Sequence, residues 1–336
     1  MFGILRTLLA INVVLLHIFN VPTLGNYSVS FFFILSGFLM TFIVHNTYGY
    51  SVNGFKFFWI NRFLRLFPIY YFIMLITIVF VIVLPSVTSR HNSIFLPSNS
   101  IEWIANITML YPEIVPHRFN PKLVPTSWAL TNELIFYFLI SFGISKTFKR
   151  TLLWFLLSVA YFIGTYFFYN IATYRYSAVF ASSLPFAIGA LLFWVVKWYP
   201  LKKVKLKYII LLYILFLLNA YYKLNYSLLF KEISIYLNII LATIIIYFSF
   251  FAQSSSKLKS IDNYIGMYSY PIYLGHYLVA IIYVTCASIG INETNFKMDL
   301  VALSFYSLFL ISFCFICVHF IDFKMNRLKS KIKKSI

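Results

Sequence analysis

Long apolar runs recur along the whole chain and restrict its fold more than any other feature. Stretches such as YYFIMLITIVFVIVL, residues 70–84, lack the alternation of apolar and polar residues that a membrane β-barrel strand requires. Hydrophobic residues make up 62% of the chain and charged residues only 10%, whereas a soluble domain carries about 25% charged residues. With a mean hydropathy of +0.86, the chain is predicted to be all-α, a polytopic transmembrane helical bundle.

Ten apolar runs are long enough to be read as membrane spans, with boundaries uncertain by a few residues. They cover residues 3–20, 27–45, 67–84, 126–144, 151–169, 177–196, 206–221, 232–251, 264–289 and 300–321. We expect one integral-membrane domain over residues 1–336, with no fused soluble domain and with the first apolar run retained. The three cysteines, Cys286, Cys314 and Cys317, lie in late apolar runs and are interpreted as small buried hydrophobic residues, with no metal site.

The basic residues predict how these spans are oriented. Lys and Arg concentrate in cytoplasmic loops, and an N-terminus inside the cell puts 19 of the 27 basic residues on the cytoplasmic side and seven outside. We therefore expect both termini to be cytoplasmic, in a multi-pass protein of the cell membrane. The net charge of +19 is explained by topology and by anionic lipid, so no nucleic-acid partner is expected.

Ionisable residues inside apolar spans indicate a functional site, because they are costly in hydrocarbon. Arg6 and His17 are eleven residues apart and therefore lie on one face of a helix, with His17 roughly 20 Å from the cytoplasmic edge. Glu133, His276 and Ser36 are expected at a similar depth on three other helices. A carboxylate beside an imidazole orients it and raises its basicity, so we expect Glu133 to lie beside a histidine.

Each of these features also has a simpler interpretation. A polar cluster that holds the bundle together is the alternative interpretation of this layer. For Ser36 with Gly37, a small pair at a helix crossing is the ordinary explanation. Arg62 and Arg65 share a face at the expected cytoplasmic start of the third span, where they either anchor the helix or bind phosphate together with Arg6.

Five motifs in order give the chain a resemblance to the acyltransferase-3 family of membrane O-acyltransferases. They are Arg6-x10-His17, the F-F-x-x-S-G-F run Phe32–Phe38, Arg62-x-x-Arg65 before Pro68, the run from Trp128 through Glu133 to Tyr137, and Ile265–His276. The chain departs from the family pattern at Ala129, at Ile265 and at Asp322-Phe323-Lys324, where the family has E-K-P.

The resemblance implies transfer of an acyl group, most often acetyl, from acyl-CoA to a hydroxyl of a cell-surface polysaccharide or its lipid-linked precursor, such as O-antigen, capsule or exopolysaccharide. Acyl-CoA is then a substrate, and no permanently bound cofactor is expected. The site residues would be His17 and Glu133 for catalysis, Arg6, Arg62 and Arg65 for the donor, and His276, Ser36 and Trp128 for the acceptor or in support.

Two further points stay open at the level of sequence. A polysaccharide or lipid-linked sugar transporter is the alternative function, although we find no internal repeat of the kind that transporters show. The loop of residues 85–125 is long for a structureless connection, which indicates a lid or binding segment through which an acceptor glycan would approach. Its Trp103, Tyr111 and Phe119 are interpreted either as sugar-stacking or as interfacial aromatic residues.

Overall fold

The computed structural model describes residues 1–21, 24–85, 92–111, 119–168, 172–222, 228–286 and 300–334. Twelve α-helices account for most of these residues. In chain order they are α1 Gly3–Phe19, α2 Leu24–Ile43, α3 Val52–Val83, α4 Ser100–Thr108, α5 Ser127–Phe142, α6 Phe148–Phe168, α7 Val179–Trp198, α8 Leu206–Tyr222, α9 Leu228–Phe250, α10 Ser256–Cys286, α11 Leu300–Ile316 and α12 Phe323–Lys334. A π-helical turn extends α2 over Val44–Tyr48, and another joins α11 to α12 over Cys317–Asp322.

Ten of the described helices coincide with the ten apolar runs of the sequence. Seven of them are long and apolar enough to cross a membrane, namely α2, α3, α6, α7, α9, α10 and α11 with its C-terminal extension. Helices α1 and α8 are apolar but only 17 residues long, and α5 has 16 residues. The described part of the chain is therefore helical, as a multi-pass membrane protein requires, with seven helices that by length and composition could cross a membrane and three shorter ones.

The third helix begins well before the apolar run that predicted it. Ser51 caps α3 by accepting a hydrogen bond from the Gly54 backbone N–H at 3.1 Å, and the helix then continues for 32 residues. Arg62 and Arg65 thus lie in the body of α3 and not at its start, which corrects the expected position. Hydropathy marks where a helix enters hydrocarbon, whereas its backbone hydrogen bonds begin at the cap.

The segment 85–125 contains a helix, α4, so it is not a connection without regular structure. Asn99 caps α4 through its side chain, which accepts from the Glu102 backbone N–H at 3.0 Å. Tyr111, just beyond α4, is buried, and its hydroxyl hydrogen-bonds Asn106 at 2.8 Å. Burial raises the pKa of Tyr111 to about 12, so the phenol stays protonated.

Glycine contacts bring the helices that carry the functional residues close together. A Cβ on Gly37 of α2 would lie 2.2 Å from the Phe186 carbonyl oxygen of α7, and one on Gly189 would lie 2.0 Å from the Ile34 carbonyl oxygen. Helix α1 meets α10 in the same way, since a Cβ on Gly266 would be 2.6 Å from the Gly3 Cα. The interpretation of Ser36-Gly37 as a small pair at a helix crossing is confirmed for the glycine.

The start of α1 is fixed by a carboxylate that belongs to α10. Asp262 is buried, and its two oxygens accept hydrogen bonds from the backbone N–H groups of Gly3 at 3.1 Å and Ile4 at 2.9 Å. A carboxylate at this position satisfies unpaired donors of the first helical turn and complements the helix dipole. The cap and the glycine contact together set the register of α1 along α10.

Candidate active site

The histidines of α1 and α10 form a direct contact. His17 Nδ1 and His276 Nε2 are 3.0 Å apart, and the ring of Tyr277 stacks on His17 with centroids separated by 5.2 Å. His276 is fully buried, whereas His17 is partly exposed and lines a cavity. The structure therefore brings together two of the residues that the sequence placed at the same depth.

The hydrogen bonds of His276 assign the protons of this pair. Its Nδ1 lies 2.9 Å from the Tyr273 carbonyl oxygen and 3.3 Å from that of Ile272, and a ring nitrogen facing carbonyl oxygens must carry the hydrogen. In a neutral pair, His276 Nε2 then accepts and His17 Nδ1 donates. The lone pair of His17 is consequently on Nε2.

The cavity beside His17, which we call the outer cavity, has a volume of about 540 Å³. It lies among the C-terminal end of α1, the N-terminal ends of α2, α5 and α9, the C-terminal end of α6 and the middle of α10. Trp128 and Tyr176 line it with their rings in edge contact, at a centroid distance of 5.5 Å. Burial raises the pKa of Tyr176 well above its usual range, which keeps its hydroxyl protonated.

A second cavity, the arginine cavity, has a volume of about 100 Å³. Arg6, Arg62 and Arg65 all line it, so the three arginines that the sequence placed at one membrane level do converge. Ser36 and Glu133 line the same cavity. Val29 and Tyr273 belong to the walls of both cavities, so only a thin partition separates the arginines from the outer cavity.

Glu133 is not paired with a histidine, which corrects the expected arrangement. Its Oε1 accepts from the Ser36 hydroxyl at 2.8 Å, and its Oε2 accepts from the Tyr137 hydroxyl at 2.9 Å. Arg62 and Arg6 are the cations that act on it electrostatically. The sequence placed Glu133 and His17 at one depth, but depth alone does not specify on which side of the bundle a side chain lies.

The guanidinium of Arg62 has one hydrogen-bond donor that is suited to bind an anion. Its Nη2 donates to the Asn61 side chain at 2.8 Å and its Nη1 contacts the Met40 sulfur at 3.5 Å. Its Nε is buried and has no hydrogen-bond partner among the residues that the structure describes. Buried polar groups are normally satisfied, and a planar guanidinium with an unused donor suits the oxygens of a phosphate.

Three residues near these cavities were not selected as site residues from the sequence. Tyr137 and Tyr273 appear in two of the motifs but look like ordinary membrane aromatic residues, and only the structure shows their contacts with Glu133 and His276. Asp322, at the position where the family pattern has E-K-P, is buried and interacts electrostatically with Arg65 and Lys329. In the sequence, only the departure from that family pattern drew attention to Asp322.

Of the three aromatic residues of segment 85–125 that were considered for sugar stacking, the structure removes Tyr111. Tyr111 is buried against Asn106 and Tyr70, so it offers no face to a ligand. The residues with aromatic rings that line the outer cavity include Trp128, Tyr166, Tyr176, Tyr236 and Tyr277.

The cysteines differ in part from expectation, because Cys314 and Cys317 are buried but Cys286 is exposed.

Comparison with known proteins shows the family of this chain. The family model of the acyltransferase-3 family, described as an acyltransferase domain, matches residues 2–322. A putative peptidoglycan O-acetyltransferase, YrhL of Bacillus subtilis (strain 168), is 29% identical over 140 residues, which is 40% of this chain and 22% of that protein. The chain thus spans about a fifth of the length of this curated relative, and no solved structure matches the chain. Because the family model covers nearly all of the sequence and every motif described above, the chain belongs to the acyltransferase-3 family.

Proposed function

We propose that this protein is an O-acyltransferase that moves an acyl group, most simply acetyl, from cytoplasmic acyl-CoA to a hydroxyl of a cell-surface glycan. One observation carries the proposal: the His17–His276 pair lines a large cavity that shares Val29 and Tyr273 with a cavity lined by three arginines. Two neighbouring cavities of different chemistry are what a reaction between an anionic donor and a polyhydroxyl acceptor needs.

The donor would bind with its phosphates on the arginines. Arg6, Arg62 and Arg65 supply fork-shaped donors for phosphate oxygens, and the buried Nε of Arg62 provides one that the protein leaves unused. Glu133 limits the excess positive charge, and Ser36 and Tyr137 hold its carboxylate in place. The flexible arm of the donor would extend past Val29 and Tyr273 toward His17.

The acceptor would react from the outer cavity. His17 Nε2 takes the proton from the acceptor hydroxyl as its oxygen attacks the thioester carbonyl. The carbon–sulfur bond then breaks, and the CoA thiolate leaves with the proton returned from His17. The products are one ester and one free thiol, and His276 acts by holding His17 in the required tautomer.

The family and the similarity to a peptidoglycan O-acetyltransferase both support a glycan as the acceptor. A glycan of the cell envelope fits both, with peptidoglycan, O-antigen, capsule and exopolysaccharide or its lipid-linked precursor as candidates. The aromatic lining of the outer cavity supports a sugar ring as the bound group.

Mass spectrometry of surface glycans tests the activity directly. We expect glycans from a deletion strain to lack an acyl-sized mass that the wild type carries, and the size of that mass identifies the donor. Purified protein in nanodiscs should transfer label from acetyl-CoA to isolated envelope glycan. Glycans of unchanged acylation but altered abundance at the surface would instead favour the transporter.

Binding of acetyl-CoA tests the arginine site. Arg62→Ala should weaken binding roughly 10- to 100-fold, the loss expected for a charge-assisted contact, while Arg62→Lys should restore only part of it. Arg150→Ala is the matched control, because Arg150 is another basic residue near a helix start but lines neither cavity. If Arg62→Ala and the control bind acetyl-CoA with equal affinity, Arg62 does not bind the donor and serves only to orient its helix in the membrane.

A further inference from the structure

A charged and aromatic cluster lines the outer cavity and has no part in the proposed proton transfer. It consists of Tyr166 at the end of α6, Arg175 in a short 3₁₀ turn, and Glu232 and Tyr236 in α9. We call it the Arg175–Glu232 cluster. All four residues line the cavity that contains His17.

Hydrogen bonds hold the carboxylate of the cluster in one position. The Tyr166 hydroxyl donates to Glu232 Oε2 at 2.6 Å, so it must accept from the Tyr236 hydroxyl, which is 2.9 Å away. These two hydrogen bonds leave the other carboxylate oxygen of Glu232, Oε1, facing Arg175. The carboxylate is therefore an acceptor that is oriented before any ligand arrives.

The guanidinium is held by contacts that leave its donors unused. Arg175 lies over the ring of Tyr166, with Cζ 3.9 Å from the ring centroid, and its Nη2 is 3.5 Å from Glu232 Oε1. That distance makes an ion pair, but Arg175 forms no hydrogen bond within the described residues. The exposed fractions of the Arg175 and Glu232 side chains are 14% and 36%, so the guanidinium is largely desolvated.

Such a pair contributes little to stability but offers a specific arrangement to a ligand. A partly exposed ion pair adds little to the stability of a fold, because solvent screens the attraction and the two side chains lose conformational freedom. A hydroxyl group both donates and accepts, so two neighbouring hydroxyls of a sugar match a guanidinium beside a carboxylate. The cluster has no net formal charge, which favours an uncharged ring over a uronic acid or a phosphate.

We propose that the Arg175–Glu232 cluster is an acceptor subsite that binds an uncharged pyranose ring through neighbouring hydroxyls, with the tyrosine rings of the cavity against its apolar face. This inference rests on the proposed function, since it names the acceptor class of the same cavity. It assigns to Arg175, Glu232 and Tyr236 the recognition of the glycan, whereas His17 performs the chemistry.

Ligand binding by the full chain in nanodiscs tests the subsite without the donor. The probes are chitotetraose, which is uncharged, and tetragalacturonate, which is anionic, observed by saturation-transfer NMR. We expect the wild type to bind chitotetraose, and Glu232→Gln to weaken this binding roughly tenfold, as for one lost charge-assisted hydrogen bond. Glu102→Gln is the matched control, because Glu102 lies in α4 and does not line the cavity.

The two probes separate the proposal from its alternatives. An anionic acceptor requires tetragalacturonate to bind better than chitotetraose and Glu232→Gln to tighten that binding further, which would overturn the inference. A Glu232→Gln protein with unchanged chitotetraose affinity and a lower melting temperature would show that the ion pair only joins α9 to the 3₁₀ turn. A wild type that gives no signal with chitotetraose would also overturn it.

A second variant and a second readout complete the test. Tyr236→Phe removes the first donor of the hydrogen-bond chain and keeps the ring, so it should weaken chitotetraose binding if Glu232→Gln does not fold. In the transfer assay, both variants should raise the KM for glycan and leave kcat and acetyl-CoA binding unchanged. Wild type that binds chitotetraose but never consumes acetyl-CoA would refute the proposed function and leave the subsite standing.

Discussion

The proton arrangement of the His17–His276 pair determines which nitrogen of His17 can act as a base. His276 Nδ1 faces the Tyr273 carbonyl oxygen, so His17 donates from Nδ1 and keeps its lone pair on Nε2. A carbonyl oxygen fixes this tautomer without adding charge, whereas a carboxylate would also have stabilised an imidazolium. In this site, therefore, a neutral histidine has the positioning role that the sequence suggested for Glu133.

Replacing His17 tests its role at the level of one residue. We expect His17→Ala to lower acyl transfer about 10²- to 10⁴-fold, the usual loss for a general base, and to leave acetyl-CoA binding unchanged. His319→Ala is the control, since His319 is a partly exposed histidine stacked on Phe315 and lines neither cavity. Near-normal turnover by His17→Ala would make His17 a packing residue and move the search for the base to His276.

At the scale of the elements, the crossing of α2 with α7 decides where Ser36 and Glu133 lie. Gly37 and Gly189 let the two backbones approach so closely that a methyl group on either would overlap a carbonyl oxygen. Ser36, the neighbour of Gly37, reaches Glu133 of α5 from this position. The glycine of the small pair thus makes the helix crossing, and the serine beside it contacts Glu133.

Substitution of Gly37 is expected to destabilise the bundle. Its Cβ would lie 2.2 Å from a backbone oxygen that cannot move alone, and overpacking of this kind costs about 1–3 kcal/mol. Gly37→Ala should therefore lower the melting temperature in detergent and reduce acyl transfer. Gly164→Ala, in α6, has no atom within 4 Å of the new Cβ and should match or slightly exceed the wild type. Equal melting temperatures for the two variants would contradict the close crossing.

At the scale of the whole molecule, the helices alternate in direction around one outer cavity. The C-terminal ends of α1 and α6 and the N-terminal ends of α2, α5 and α9 all line it. This arrangement is the one expected if consecutive membrane helices run antiparallel. Which end of the bundle is cytoplasmic is a separate prediction from the basic residues, and on that prediction the arginine cavity is nearer the cytoplasm than the outer cavity.

Reporter fusions test that orientation. A reporter at Ser100, the first residue of α4, should be extracytoplasmic, and one at Lys205, between α7 and α8, should be cytoplasmic. The physical reason is the retention of basic loops on the cytoplasmic side, which places 19 of the 27 basic residues there. The reverse pattern would place the arginine cavity outside and would rule out cytoplasmic acyl-CoA as its ligand.

The sequence by itself determined the class of fold and the family, and it selected ionisable residues that the structure places at the two cavities. Apolar runs specify membrane helices because hydrocarbon leaves no other way to satisfy the backbone, and fixed spacing places Arg6 and His17 on one face because α-helix geometry is regular. The convergence of Arg6, Arg62 and Arg65 was also predictable, since charged groups at one depth avoid lipid by facing the same interior.

Only the tertiary structure decided which of these residues are partners. Depth along a helix follows from counting residues, but rotation and lateral position depend on crossings such as Gly3 with Gly266, where two backbones touch. These contacts put His17 against His276 and put Glu133 against Ser36, on opposite sides of a partition formed by Val29 and Tyr273. The Arg175–Glu232 cluster joins residues 57 positions apart in sequence, and only packing brings them together, because no local pattern relates a 3₁₀ turn to a distant helix.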